Sequence, residues 1–73
     1  MTSKYAVILE RSRTGYSAYV PDLPGCVAAA KTIEETETLI REAIEFHLEG
    51  MRELGEAIPQ PTTYAEMVEV TAA

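Results

Sequence analysis

The sequence predicts an α+β domain that runs β-β-β-α-β, with a sheet of order 3-2-1-4 and one long helix on one of its faces. Three observations carry that expectation. Residues Thr32 to Leu54 place apolar side chains at helical spacing between a start and a stop signal. Two strand-like runs, Tyr5–Arg11 and Tyr16–Val20, flank a short loop that ends in Gly15. Beyond the helix, Met67-Val-Glu-Val-Thr71 alternates as a closing strand does.

Tyr5-Ala-Val-Ile-Leu-Glu-Arg11 is rich in residues that suit a pleated, half-buried surface, and Ser12-Arg13-Thr14-Gly15 turns it into an antiparallel partner. On that partner Tyr16, Ala18 and Val20 point to one side while Ser17 and Tyr19 point to the other, so one tyrosine ring lies on the less buried face. Pro21-Asp22-Leu23-Pro24-Gly25 then makes a rigid corner, because two prolines remove ladder donors and a glycine permits a tight reversal. Cys26-Val-Ala-Ala-Ala30 follows as a short third strand whose alanines allow close approach.

Thr32 with Glu35 reads as a capping box, and Gly55 followed by Pro59 and Pro61 stops the helix. At about 100° per residue, Ile33, Thr36, Ile40, Ala43, Ile44, His47, Met51 and Leu54 form one stripe, with Leu39, Phe46 and Leu48 on its flanks. That breadth exceeds what a sheet needs to be covered, so Leu39, Phe46 and Leu48 are candidates for a subunit contact. Glu35, Glu42, Glu45, Glu49 and Glu53 gather opposite. A right-handed crossover from the third strand then sets the closing strand parallel to the first, at the sheet edge.

A chain of 73 residues with 47% apolar side chains is one folded domain over 1–73, near the size at which a single core is barely sufficient. A dimer or tetramer is therefore expected. The formal charge of −6 disfavours bare nucleic acid and suits a basic protein partner. A lone cysteine, no signal peptide and no spanning segment point to the cytoplasm, with no membrane association.

Candidate contact residues are Tyr16 and Tyr19, which equally suit sheet packing, and Glu42, Glu45 and Glu49, which equally suit an ordinary solvated helix face. Cys26 lacks a base to make it a nucleophile, since the single His47 sits in the apolar stripe and fits core or interface packing. No metal-ligand spacing or cofactor motif is present, so no catalytic, metal or cofactor site is expected.

The run Tyr16-Ser-Ala-Tyr-Val-Pro-Asp-Leu-Pro-Gly-Cys26, with Thr32-Ile-Glu-Glu35, Arg41-Glu-Ala-Ile-Glu-Phe-His-Leu48 and Gly55-Glu-Ala-Ile-Pro-Gln-Pro61, resembles the HicB-like antitoxin family over nearly the whole chain. It departs from the family pattern at Ala30-Lys31, where a glycine is usual, and at Thr36, where alanine is usual. The resemblance implies a partial RNase H-like fold, self-association, and neutralisation of a small basic HicA-like toxin that cleaves mRNA. It also implies no direct DNA binding, because the operator-binding module of longer members would follow Ala73.

An RNase H-like nuclease needs carboxylates converging on two metal ions, and the first strand offers only Glu10, at its end, and the closing strand only Glu69. A non-enzymatic antitoxin is the expected function. The alternative is a stand-alone homo-oligomeric module that binds a small ligand or an unrelated protein.

Overall fold

A computed structural model describes residues 3–72. Three strands, β1 (Ile8–Arg11), β2 (Tyr16–Tyr19) and β3 (Val27–Ala30), precede one helix, α1 (Ile33–Glu53). The strands form one antiparallel sheet in the order β1-β2-β3. Register is set by Leu9 opposite Ala18 and Ala18 opposite Ala28 on one face, and by Ile8 opposite Tyr19 and Tyr19 opposite Val27 on the other.

The helix lies on β3 and β2. Beneath it Ala18, Val20, Leu23, Cys26 and Ile40 are buried, with Val7, Ala28, Ala43, Ile44 and Leu48 packed around them. Leu23 has no solvent-accessible surface. The corner that holds it is tied by Leu23 N–H donating to the Val20 carbonyl and Cys26 N–H donating to the Leu23 carbonyl, each at 3.0 Å. Gly25 completes the reversal at φ 86°, a conformation that glycine adopts without steric cost.

Both helix ends form as expected. Thr32 Oγ1 accepts from the Glu35 N–H at 3.1 Å and donates to the Glu35 carboxylate at 2.9 Å, so the reciprocal bond of the box goes to the hydroxyl. Gly55 at φ 73° closes the other end: its N–H donates to the Arg52 carbonyl and the Glu56 N–H to the Met51 carbonyl, the two bonds of a Schellman motif. Thr36, one of the two departures from the family pattern, is fully buried and satisfied, its hydroxyl donating to the Thr32 carbonyl at 2.7 Å.

The hairpin loop closes with Ser12 N–H donating to the Gly15 carbonyl at 2.8 Å. Gly15 is required by contact, not by φ. A Cβ there would run into the Ala30 carbonyl oxygen and stand 2.9 Å from Lys31 Cα, both backbone atoms that cannot swing aside. Gly15→Ala should therefore cost about 1–3 kcal/mol, as overpacking does, seen as a lower urea midpoint at unchanged m-value.

The sheet differs from expectation at one strand. Among the described residues Met67–Thr71 pairs with nothing, and the sheet has three strands, not the four of order 3-2-1-4. The alternation there is real, but alternation supplies a strand only when an edge lies within reach. Thr62 and Thr63 are held by Asp22 in the corner after β2, and the chain leaves from there with Met67 fully exposed and Val68 and Val70 nearly so.

Candidate functional site

The exposed features of this domain are three surfaces and one polar clamp. The first surface is the solvent side of α1. Glu42, Glu45, Glu49 and Glu53 are all exposed there, with Glu35 one turn nearer the start. Leu39, 42% exposed, lies one turn from both Glu35 and Glu42, and Phe46, 81% exposed, lies one turn from both Glu42 and Glu49. One strip of the helix thus joins carboxylates to an uncovered phenyl ring. An aromatic side chain held out to water is of the type enriched at protein interfaces.

Leu48 does not belong to that strip. It is half-buried on the opposite flank of the helix, where it packs against the core. The expected subunit contact of Leu39, Phe46 and Leu48 is therefore divided between two sides of α1.

The second surface is the sheet face turned away from the helix. Ile8, Tyr19 and Val27 form one cross-strand row there, with Tyr19 42% and Val27 64% exposed. Tyr16 is opposite Arg11 and Ala30 on the helix side and is half-buried. The two tyrosines face opposite ways, as strand alternation requires. Tyr19 and the glutamate strip lie on opposite outer faces of a two-layer molecule, so no partner contact unites them on one chain.

The third surface is a groove between β1 and α1, lined by Tyr5, Val7 and Leu9 on one wall and Ile40, Ile44 and Leu48 on the other. Its volume is about 650 Å³. Lys4, Arg41 and Arg52 stand at its rim together with Glu37 and Glu45.

The clamp is Asp22. Its Oδ2 accepts from the Thr62 and Thr63 N–H groups at 2.9 and 3.0 Å, and its Oδ1 accepts from the Thr62 and Thr63 hydroxyls at 3.0 and 2.8 Å. Earlier in the same segment, the Pro59 carbonyl accepts from the Tyr5 hydroxyl at 2.6 Å. The Asp22 bonds hold the segment after the helix against the corner that follows β2, and the Tyr5 bond ties it to the start of the chain. Sequence reading gave Asp22 no role beyond a corner. The available signal was the pair Thr62-Thr63, which offers four donors in consecutive positions to a carboxylate.

These four donors favour the charged carboxylate. The Thr62 N–H contributes most, then the Thr63 hydroxyl and N–H, and Asp22 is lowered from 3.8 to about 2. A depressed carboxyl stabilises the folded state above its unfolded pKa and loses that contribution as pH falls through the folded one. The clamp should therefore be intact at and above pH 3.8 and release as pH falls toward about 2. The check is an NMR titration in which the Asp22 carboxyl carbon and the Thr62 and Thr63 amides share one midpoint near 2. A midpoint at the ordinary value would contradict it.

Cys26 is buried, and burial pushes its thiol up, against the thiolate a nucleophile needs. Among the described residues no three His, Cys, Asp or Glu side chains are grouped to hold a metal ion. No described helix is long and apolar enough to cross a membrane.

Three antiparallel strands under one long capped helix, with Leu23 of the corner buried between them, define a small α+β domain. The chain belongs to the HicB-like antitoxins of bacterial toxin-antitoxin systems, whose family pattern matches residues 5–72. It is 43% identical over 56 residues to an uncharacterized 14.9 kDa protein of Haemophilus phage HP1, an alignment that takes 77% of this chain and 42% of the phage protein. It is 40% identical over 58 residues to a UPF0150 protein of Thermoplasma acidophilum, covering 78% of this chain and 84% of that one. Among solved structures it is similar to a chain of the HicA3 and HicB3 toxin-antitoxin complex, with TM-score 0.70 and 27% identity, over 82% of this chain and 70% of that chain. The chain thus spans less than half the length of the phage relative.

Proposed function

We propose that this protein is a non-enzymatic antitoxin that binds a small basic HicA-like toxin and holds it inactive. The observation that carries the reading is the match, across most of the chain, to a protein solved in a HicA–HicB complex. Charge supports it: a chain of net −6 with four exposed glutamates in one helical strip attracts a basic partner. In this reading Phe46 and Leu39 supply the apolar anchor, and Glu42, Glu45 and Glu49 supply the field around it. Tyr16 and Tyr19 are secondary, because Tyr16 is half-buried toward the helix and Tyr19 belongs to the opposite outer face.

The test is co-expression with the product of the adjacent reading frame, if that frame encodes a short basic protein with a central histidine. Growth rescue and co-purification of the two proteins are expected. A toxic neighbour that this chain neither binds nor neutralises would refute the proposal, as would the absence of any such neighbour together with tight binding of an unrelated ligand.

A further inference from the structure

The groove beside β1 and the segment after Thr63 are complementary, and both belong to the same chain. We propose that residues 64–71 of one copy add as an edge strand beside β1 of a second copy, reciprocally, so that two chains exchange tails about a twofold axis. The inference goes beyond the antitoxin reading and does not depend on a toxin.

The slot is unfilled in the single chain. β1 is a sheet edge, so one side of it presents unpaired N–H and C=O groups, an arrangement that proteins ordinarily cover or blunt. Above it Val7 and Leu9 face Ile40, Ile44 and Leu48 across open space, because the helix is seated on β3 and β2. A strand added beside β1 would send every second side chain into that groove.

The tail has the composition such a strand needs. Val68 and Val70 alternate with Glu69 and Thr71, and the two valines are 72% and 79% exposed. β-branched residues alternating with polar ones suit a half-buried edge strand. Glu66 falls on the same side as Val68 and Val70, toward the Lys4, Arg41 and Arg52 that line the groove, while Glu69 turns away from it.

The tail is directed away from its own slot. Asp22 holds Thr62 and Thr63, and beyond them every described residue is exposed. The molecule is consequently 51 Å long against 26 and 19 Å across, with a radius of gyration of 14.2 Å. A compact chain of this length has about 11 Å. A slot and a strand that match but do not meet within one chain make a self-complementary pair, which closes as a twofold dimer.

Sedimentation velocity on the full chain at micromolar concentrations tests this. Wild type should form a dimer, and the double variant Val68→Asp, Val70→Asp should be monomeric, its dimer dissociation constant raised by about a hundredfold or more. Its circular dichroism should match wild type at concentrations where both are monomeric, because both valines are exposed in the single chain. Leu9→Asp should disrupt the slot in the same way. Mixing the tail variant with the slot variant should restore a dimer, since one intact tail then meets one intact slot. Amide exchange of residues 66–71 should be slow in the dimer alone.

Four outcomes would overturn the proposal. A wild-type chain that stays monomeric would mean that the tail closes on its own slot or serves a different protein. A dimer that survives the tail variant would place the interface elsewhere. Failure of the mixed variants to associate would show that the tail and slot do not meet, and loss of secondary structure in the monomeric tail variant would place the tail in the single-chain core.

Discussion

Leu23→Ala should remove a large share of the chain's stability. Among the described residues Leu23 is the one large apolar side chain with no exposed surface, and it stands in a corner pinned by the turn bonds of Val20 and Cys26. Truncating such a leucine costs about 2–5 kcal/mol, with the upper end reached when the surroundings cannot collapse. The prolines on either side of the corner and the strand that follows it make collapse difficult here. Against a total of roughly 0.05–0.15 kcal/mol per residue, or about 4–11 kcal/mol for this length, the loss takes a large share. Urea unfolding checks it: the midpoint should fall sharply for Leu23→Ala. Phe46→Ala should move the midpoint of the monomer by less than about 0.5 kcal/mol equivalent, because its ring is 81% exposed. Equal effects at the two positions would mean that the core is not centred on the corner.

The contrast between those residues shows what was legible in the sequence. Helix boundaries were readable to within one residue because Thr32, Glu35 and Gly55 act through local backbone geometry, and the structure makes the bonds those residues specify. The hairpin was readable for the same reason, although Gly15 is needed for its closeness to Ala30 and Lys31 and not as a turn residue. Burial was less legible. Periodicity places Ile33 and Leu54 on the same stripe as Ile40, yet Ile40 is buried while Ile33 is 40% and Leu54 77% exposed. Periodicity reports which face an element turns inward, not how far the opposing layer extends, and the sheet is shorter than the helix. Long-range polar bonding was not legible at all. Asp22 and Thr62 are forty residues apart, and neither residue type marks its partner. The same distance problem separates Met67–Thr71 from β1, because a pattern specifies a strand without naming its neighbour.

The antitoxin reading makes its sharpest kinetic prediction at the outer strip of α1, where charge and apolar surface adjoin. Glu42, Glu45 and Glu49 are exposed, so their field acts through solvent on an approaching basic partner and should appear in the association rate. Replacing all three by Gln should slow association with the toxin by about tenfold at low salt and flatten its dependence on ionic strength, since screening then has less to screen. Dissociation should change little. Phe46 should behave in the opposite sense. An exposed ring one turn from Glu42 and Glu49 buries its surface only after contact is made, so Phe46→Ala should speed dissociation by about tenfold or more and leave the salt dependence intact. Stopped-flow association and surface-bound dissociation measurements separate the two effects. If the glutamine triple variant associates at the wild-type rate, the carboxylates are an ordinary solvated face. If Phe46→Ala dissociates as slowly as wild type, the toxin docks elsewhere, and the row of Ile8, Tyr19 and Val27 on the opposite face becomes the surface to mutate.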